Sequence, residues 1–368
     1  MPFWTDMYSK EIVFPGVKFI LQSDNLEAFN KQVNHVAQFY TPYEILKSTN
    51  QSIEVYYIEN QKLYNDILEE CKYKKYVLHQ SFTNQIHREY QLDENNHCYI
   101  IDNKDYICIK SDNNHYKIIS DGRESAIKWP FRIIREILVR KKEENKSLFM
   151  HGTAVTIDNK GILILGNSGS GKTTLATKML ELEEKIGFLS NDRVFINYFD
   201  VAKMDYFPIP FVYAMGTVKN NSNLDKYFKE TRILEKRANK EYEASKNIDK
   251  VDVPLTDMPK IFKNVSMETT SEIGLIIFSN LNYINDTQLN SRYLTQKECE
   301  IKLNQTCFTP FDWESLRLEW IYKRKFPLPE LIENKINIIE QIAKNVPTIE
   351  LDYGVNVNKK QLIKIITE

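Results

Sequence analysis

Residues 166–173 read GNSGSGKT and satisfy the pattern G-x-x-x-x-G-K-[S/T]. A strand-like run, ILIL, precedes them and a helical pattern, TTLATKMLELEEK, follows. In that context Gly166, Asn167, Ser168, Gly169, Ser170 and Gly171 make a loop whose backbone N–H groups turn inward around phosphate oxygens. The helix N-terminus behind the loop adds the positive end of its dipole. Lys172 is placed to reach the β and γ phosphates of a nucleotide, and Thr173 to offer its hydroxyl to Mg²⁺. Thr174 joins the same nucleotide-facing set.

Two further residues belong to this chemistry by position. His151 stands fifteen residues before Gly166. LFMHGTAVTID and GILILG are both strand-like, and DNKG between them has turn composition, so the segment predicts a β-hairpin. With Asp158 paired to Gly161, His151 falls opposite Ser168 at the mouth of the loop, a position for a positive or proton-donating group near the γ-phosphate. The helix after the loop is expected to end near Gly187. The next strand, in GFLSNDRVFI, then lies parallel beside the first by the right-handed crossover rule. Asn191 and Asp192 fall at its carboxyl end, where ligands of open α/β sheets gather. A later apolar strand, GLIIFSNL, ends in Ser279 and Asn280 rather than in an acid. Asp192 is therefore the most economical carboxylate to contact the metal-bound phosphate, to accept a proton from a substrate hydroxyl, or to do both. The candidate metal-facing pair is Thr173 and Asp192.

The elements that must position these residues imply an α/β domain from 126 to 368, preceded by a β-rich α+β module over residues 1–125. Short aromatic and β-branched runs, among them IVFPGVKFIL, SIEVYYIE, KYVLHQSF, HCYIID and YKIIS, are separated by Asn/Asp/Gly turns in the first part. A helix entered at Pro130 bridges to the second. A chain of 368 residues fits about two domains. The 49 Lys+Arg against 50 Asp+Glu give no signature of a nucleic-acid or anionic membrane surface. RKKEENK at 140–146 is expected to be a solvated helix end. Five cysteines without a CxxC pair, no secretory signal pattern and no run of ~20 apolar residues point to a soluble cytoplasmic chain with reduced thiols. The polar segment 219–250 is a candidate cover for the site.

His151-Gly152, the hairpin, GNSGSGKTT and NDRV, in this order and spacing, resemble the bacterial HPr kinase/phosphorylase family and its HPr-kinase-related members. Looser likeness continues in FPIPFVYAMGTV, KVDVPLTDM, EIGLIIFS, CFTPFD and VPTIELDYG, so that it spans roughly residues 147–357. The resemblance implies a phosphoenolpyruvate-carboxykinase-like P-loop kinase domain and a serine/threonine phosphotransferase using ATP and Mg²⁺. In it Lys172 is the phosphate lysine, Thr173 the metal hydroxyl, His151 the active-site histidine and Asp192 the base. Where that family commonly shows two consecutive acids, this chain has Asn191-Asp192, which leaves a role needing both carboxylates unsupported. Arg232 and Arg237 are the arginines considered for the family's later catalytic arginine.

The first 125 residues do not match the regulatory domain of the HPr-acting enzymes. The expected acceptor is therefore a Ser or Thr of another peptide or protein, as for HPr-kinase-like proteins that phosphorylate precursor peptides. A β-rich module could lend such an extended partner an edge strand. A kinase for a small hydroxylated metabolite and a nucleotide-dependent switch protein share the same residues and stand as alternatives. HPr-type relatives are often oligomeric, which leaves a homo-oligomer open.

Overall fold

The computed structural model describes residues 8–39, 52–80, 86–101, 106–182, 184–231, 250–310 and 321–367. Arg232, Arg237 and much of the 219–250 segment lie outside them. The chain divides into two compact units, one of Met1–Leu148 with Phe308–Lys335 and one of Phe149–Cys307 with Ile336–Glu368. No helix among the described residues is long and apolar enough to cross a membrane.

In the first unit, β1 (Tyr8–Phe14) and β2 (Val17–Ser23) form a hairpin turned at Gly16, so the run read as IVFPGVKFIL is two strands. Then come α1 (Leu26–Ala37), β3 (Ser52–Glu59), α2 (Gln61–Cys71), β4 (Tyr76–Gln80), β5 (Ile86–Gln91), β6 (His97–Ile101), β7 (Ile107–Lys110) and β8 (His115–Ser120). The sheet order is β1-β2-β3-β8-β7-β6-β5-β4, with β3 parallel to both its neighbours and the remaining pairs antiparallel. Asn25 and Asn60 start α1 and α2, each accepting a hydrogen bond from a backbone N–H of the first turn.

The helix α3 (Trp129–Glu144) carries proline in its first turn and buries Phe131, Ile134, Ile137 and Leu138. Its charged end is not solvated as expected: Arg140, Lys141, Lys142 and Glu143 are all buried. Arg140 donates to the Glu143 carboxylate at 3.1 Å, and Arg324 donates to the same group at 3.1 Å. Tyr322 donates to Glu144 at 2.9 Å, and the Lys141 ammonium lies 5.0 Å from the Tyr322 ring centre. Residues 322–324 return onto this helix end and make these partners, a contact between distant chain segments that local composition cannot announce.

The second unit is built on β9 (Leu148–Met150), β10 (Gly152–Ile157), β11 (Lys160–Leu165), α4 (Lys172–Leu180), β12 (Ile186–Ser190), β13 (Val194–Tyr198) and β14 (Ala202–Tyr206). It continues through β15 (Phe211–Ala214), α5 (Met215–Lys219), α6 (Ser222–Thr231), β16 (Lys250–Val253), β17 (Val265–Met267), β18 (Thr270–Asn282), β19 (Leu289–Tyr293) and β20 (Thr348–Gly354). The main sheet runs β17-β12-β10-β11-β18-β14-β13-β9, with β20 on the carboxyl half of β18 and β19 beside β20. This is a mixed α/β architecture.

The hairpin β10–β11 closes at Ile157 and Lys160 around Asp158 (φ 48°) and Asn159 (φ 67°). Two successive left-handed residues make a tight turn that matches strand twist, and Asp and Asn tolerate that conformation. The register therefore differs from the expected one. Gly152 pairs with Leu165, which brings His151 level with Gly166 rather than Ser168. A shift of two residues leaves each side chain on its expected face.

The strand β12 runs in the direction of β11 but is not its neighbour, because β10 lies between them and pairs antiparallel with both. Nor does Gly187 cap a helix: α4 ends at Leu180, and Gly187 lies within β12. A Cβ there would come within 2.3 Å of Thr156 Oγ1, so close strand packing accounts for this glycine.

This topology places three chain segments together. The carboxyl ends of β11 and β12 emerge on one edge of the sheet, and the amino end of β10 lies between them. The glycine loop, Asn191-Asp192 and His151 occupy those three positions. Val155, Ile157, Ile162, Ile164, Leu175 and Met179 belong to one buried core, which seats α4 on the sheet. Each such side chain contributes about 1.5–3 kcal/mol on burial, so the helix start cannot drift from the strand ends cheaply.

Candidate active site

The loop from Gly166 to Gly171 has φ of 144° at Gly166, 82° at Gly169 and 87° at Gly171, values that side chains adopt only under strain. Gly171 is constrained by space as well, since a Cβ would lie 2.3 Å from Tyr353 Oη and 2.6 Å from Leu281 Cβ. The ends of β18 and β20 hold the loop in place. Tyr353 donates to Gly171 O at 2.6 Å, Leu281 N donates to Ser170 O at 3.1 Å, and Ser279 Oγ lies 3.2 Å from Ser170 Oγ. Ser279, which stands where an acid was sought, also donates to Leu165 O at 3.3 Å and so fastens the loop's entry.

Gly171 starts α4 without a side-chain cap. First-turn amides of the helix then face the loop's interior without a capping oxygen from that residue. Lys172 is 8% exposed and donates to Gly166 O at 2.8 Å and Asn167 O at 3.0 Å. Burial pulls its pKa down to about 8; Asp192 opposes the shift, while Arg193 and Lys250 add to it.

Asn191 is 2% exposed, and its Oδ1 accepts from Thr153 Oγ1 at 3.1 Å and from Thr173 Oγ1 at 3.3 Å. A neutral amide therefore ties β10, α4 and the end of β12 together.

Asp192 has φ 63°, and Arg193 N donates to Asn191 O across it at 2.7 Å. Such a three-residue turn is uncommon and strained, and strain of this kind persists where the surroundings over-determine it. Here they do. His151 Nε2 lies 3.2 Å from Asp192 Oδ1, and Arg193 closes on Oδ2. Burial by itself would raise the Asp192 pKa, but the His151 hydrogen bond and the Arg193 and Lys172 charges bring it below the ordinary value. The His151 main chain is pinned in turn, its N–H donating to Thr306 O at 2.8 Å.

His151, Lys172 and Asp192 line one cleft of about 420 Å³, together with Ser168, Thr173 and Thr174. Gly169 and Gly171 line it too. Gly166, Asn167 and Ser170 instead shape the loop from behind, through the two carbonyls that hold Lys172 and the contact with Ser279. Among the described residues no cluster of three or more His, Cys, Asp or Glu side chains is arranged to hold a metal. Sequence reasoning passed over Thr153, Tyr353 and Lys250, which reach the site from other strands. All three lie in segments already quoted, LFMHGTAVTID, VPTIELDYG and KVDVPLTDM, though none was singled out for its own side chain.

No protein-family model matches the chain. No curated protein matches it. Among solved structures, the HPr(Ser) kinase/phosphatase from Coxiella burnetii is similar to it at 15% identity, over 60% of this chain and 93% of that one, with a TM-score of 0.26. That is a distant structural likeness, too loose to carry an argument about residues or activity.

Proposed function

We propose that the second unit is an ATP-dependent phosphotransferase, transferring the γ-phosphoryl group to a Ser or Thr hydroxyl of a peptide or protein. The observation that supports it best is the placement of Asp192, held between His151 and Arg193, at the same cleft as Lys172 and the start of α4. A loop that only binds nucleotide needs the amides and the lysine. It has no use for a strained aspartate fixed by His151 and Arg193.

The oxygen donors fit Mg²⁺. Thr173 Oγ1 and the Asp192 carboxylate would hold it, and the absence of a carboxylate cage among the described residues suits an ion bound largely through phosphate oxygens and water. When bound, Mg²⁺ neutralises charge building on the phosphate oxygens. The chain's own groups do the rest. Lys172 exchanges the carbonyls of Gly166 and Asn167 for phosphate oxygens, and loop amides take up the remaining negative charge. Asp192, kept ionised at neutral pH, orients the acceptor O–H and receives its proton on a carboxylate oxygen. His151 holds Oδ1 so that the carboxylate faces the cleft. Asn191 brings no second carboxylate, and the forward transfer needs only one.

A peptide acceptor is favoured by β4. This strand ends its sheet among the described residues, and Tyr76, Val77 and Leu78 on it are 51%, 59% and 59% exposed. An apolar edge of that kind suits strand addition by an extended chain. A cytosolic setting goes with use of ATP. The test is mass spectrometry of candidate precursor peptides incubated with the protein, ATP and Mg²⁺. Addition of a single phosphoryl group to Ser or Thr is expected. Nucleotide binding without transfer to any acceptor would leave a switch protein instead.

A further inference from the structure

The ribbon β15–β16 lies off the main sheet, with Ala214 opposite Lys250 and Phe211 opposite Val253. Phe211, Tyr213, Val251 and Val253 are buried in the core that also seats α4. Strand alternation sends the intervening positions the other way, and Val212, Ala214 and Lys250 line the cleft. The ribbon is thus fixed from beneath by its apolar face. One ammonium group projects from its cleft side.

Among the described residues, Lys172, Lys178 and Arg193 near the site are already engaged. Lys172 donates to two loop carbonyls, Lys178 donates to Val355 O, and Arg193 closes on Asp192. Lys250 is exposed and has no carboxylate partner among the described residues. It lines the same cleft as Ser168, Gly169, Gly171 and Lys172 of the glycine loop. Ammonium groups that line one cleft are stabilised together by a polyanion bound in it. Phosphoryl transfer is favoured by positive charge beside the equatorial oxygens of the moving group, and a further cation lining this cleft would add to that of Lys172.

We propose that Lys250 is a second phosphate-binding cation of this site, contacting the terminal phosphoryl group from the β15–β16 ribbon. This rests on the phosphotransferase reading above.

The experiment compares calorimetric binding of Mg·ATP and Mg·ADP to the full chain and to Lys250→Met and Lys250→Arg. A contact to the terminal phosphate alone predicts that Lys250→Met weakens ATP binding about 10- to 100-fold, as for a charged hydrogen bond, and leaves ADP binding within about twofold. Lys250→Arg should retain most of the preference for ATP. Thermal melting of Lys250→Met should match the parent, which separates loss of the contact from misfolding. An unchanged ATP-to-ADP affinity ratio in Lys250→Met overturns the assignment, as does an equal loss for both nucleotides. If the unmodified protein binds neither, the phosphotransferase reading itself fails, whatever Lys250 does.

Discussion

Two strand-to-helix crossings, one in each unit, begin from similar surroundings and end in different chemistry. β3 runs parallel to its neighbours β2 and β8 and leads into α2; β11 runs parallel to β18 and leads into α4. At the end of β3 a single residue intervenes. Asn60 caps α2 directly, its Oδ1 accepting from Leu63 N at 2.9 Å, so an amide of the helix start is satisfied from within. The charges nearby are also matched: Glu59 lies 3.9 Å from Lys31, and Asp121 at the end of β8 holds Arg123. At the end of β11 six residues intervene, three of them glycines with positive φ, and Gly171 offers no capping side chain. Strand topology supplies the position, and the loop residues decide whether it becomes an anion site or a closed corner.

The comparison is broken most severely at the residues that have no counterpart in the first unit. Lys172→Ala removes a contact made in both ground and transition states, so kcat/KM for transfer should fall by on the order of 10³-fold or more with weaker ATP binding. Asp192→Asn should lower kcat by about 10²- to 10⁴-fold while ATP affinity, followed by calorimetry, stays close to that of the parent. A loss of binding as large as the loss of turnover would make Asp192 a nucleotide-holding group rather than a base.

Glycine substitution gives a paired test of smaller size. Gly171→Ala must accommodate a methyl group 2.3 Å from Tyr353 Oη at φ 87°, whereas at Gly122 (φ 89°) the nearest atom, Glu59 Oε2, is 3.9 Å away. Both should lose about 1–2 kcal/mol in denaturant melts from the left-handed backbone alone. Only Gly171→Ala should lose more than that and also abolish nucleotide binding.

The lowered pKa of Lys172 sharpens the comparison through pH. Its folded value of about 8 lies below the ordinary 10.5, so between those values the unfolded chain holds the extra proton and stability rises with pH. Below about pH 8 the burden of the buried ammonium is fully present. A phosphate anion pushes the pKa back up. ATP binding near pH 8.5 should therefore take up a proton, measurable by calorimetry in buffers of different ionisation heat, and Lys172→Met should abolish the uptake.

Local requirements made part of this legible from sequence. Gly166, Gly169 and Gly171 adopt backbone conformations that few other residues accept, so the loop announced itself. The same holds for the turn at Asp158-Asn159, although the expected closing pair, Asp158 with Gly161, lies one residue later on each strand than the observed Ile157 with Lys160. Close packing explains Gly161 instead: a Cβ there would meet Glu272 O at 2.1 Å. What was not legible depends on partners distant in the chain. The insertion of β10 between β11 and β12, the burial of Arg140 and Glu143, the reach of Lys250 into the cleft and the bond from Tyr353 to Gly171 O are set by tertiary pairing, which no local pattern encodes. Both polar N-terminal helices, α1 and α2, were passed over beside the stronger strand signals.

The smallest expected effect tests the other half of the comparison. In Asn60→Ala the capping oxygen of α2 is lost, and the amide of Leu63 must turn to water. Helix caps of this type are worth about 0.5–2 kcal/mol, so a modest loss in a denaturant melt is expected. Nucleotide binding should not change, and the altered corner should not acquire any affinity for pyrophosphate. It would present a free helix start, as α4 does, yet it has neither the glycines that let a backbone wrap an anion nor a lysine in the first residue of the helix. New anion binding by Asn60→Ala would show that an uncapped helix start is sufficient by itself. The distinction between the two crossings would then rest on a single side chain rather than on the loop.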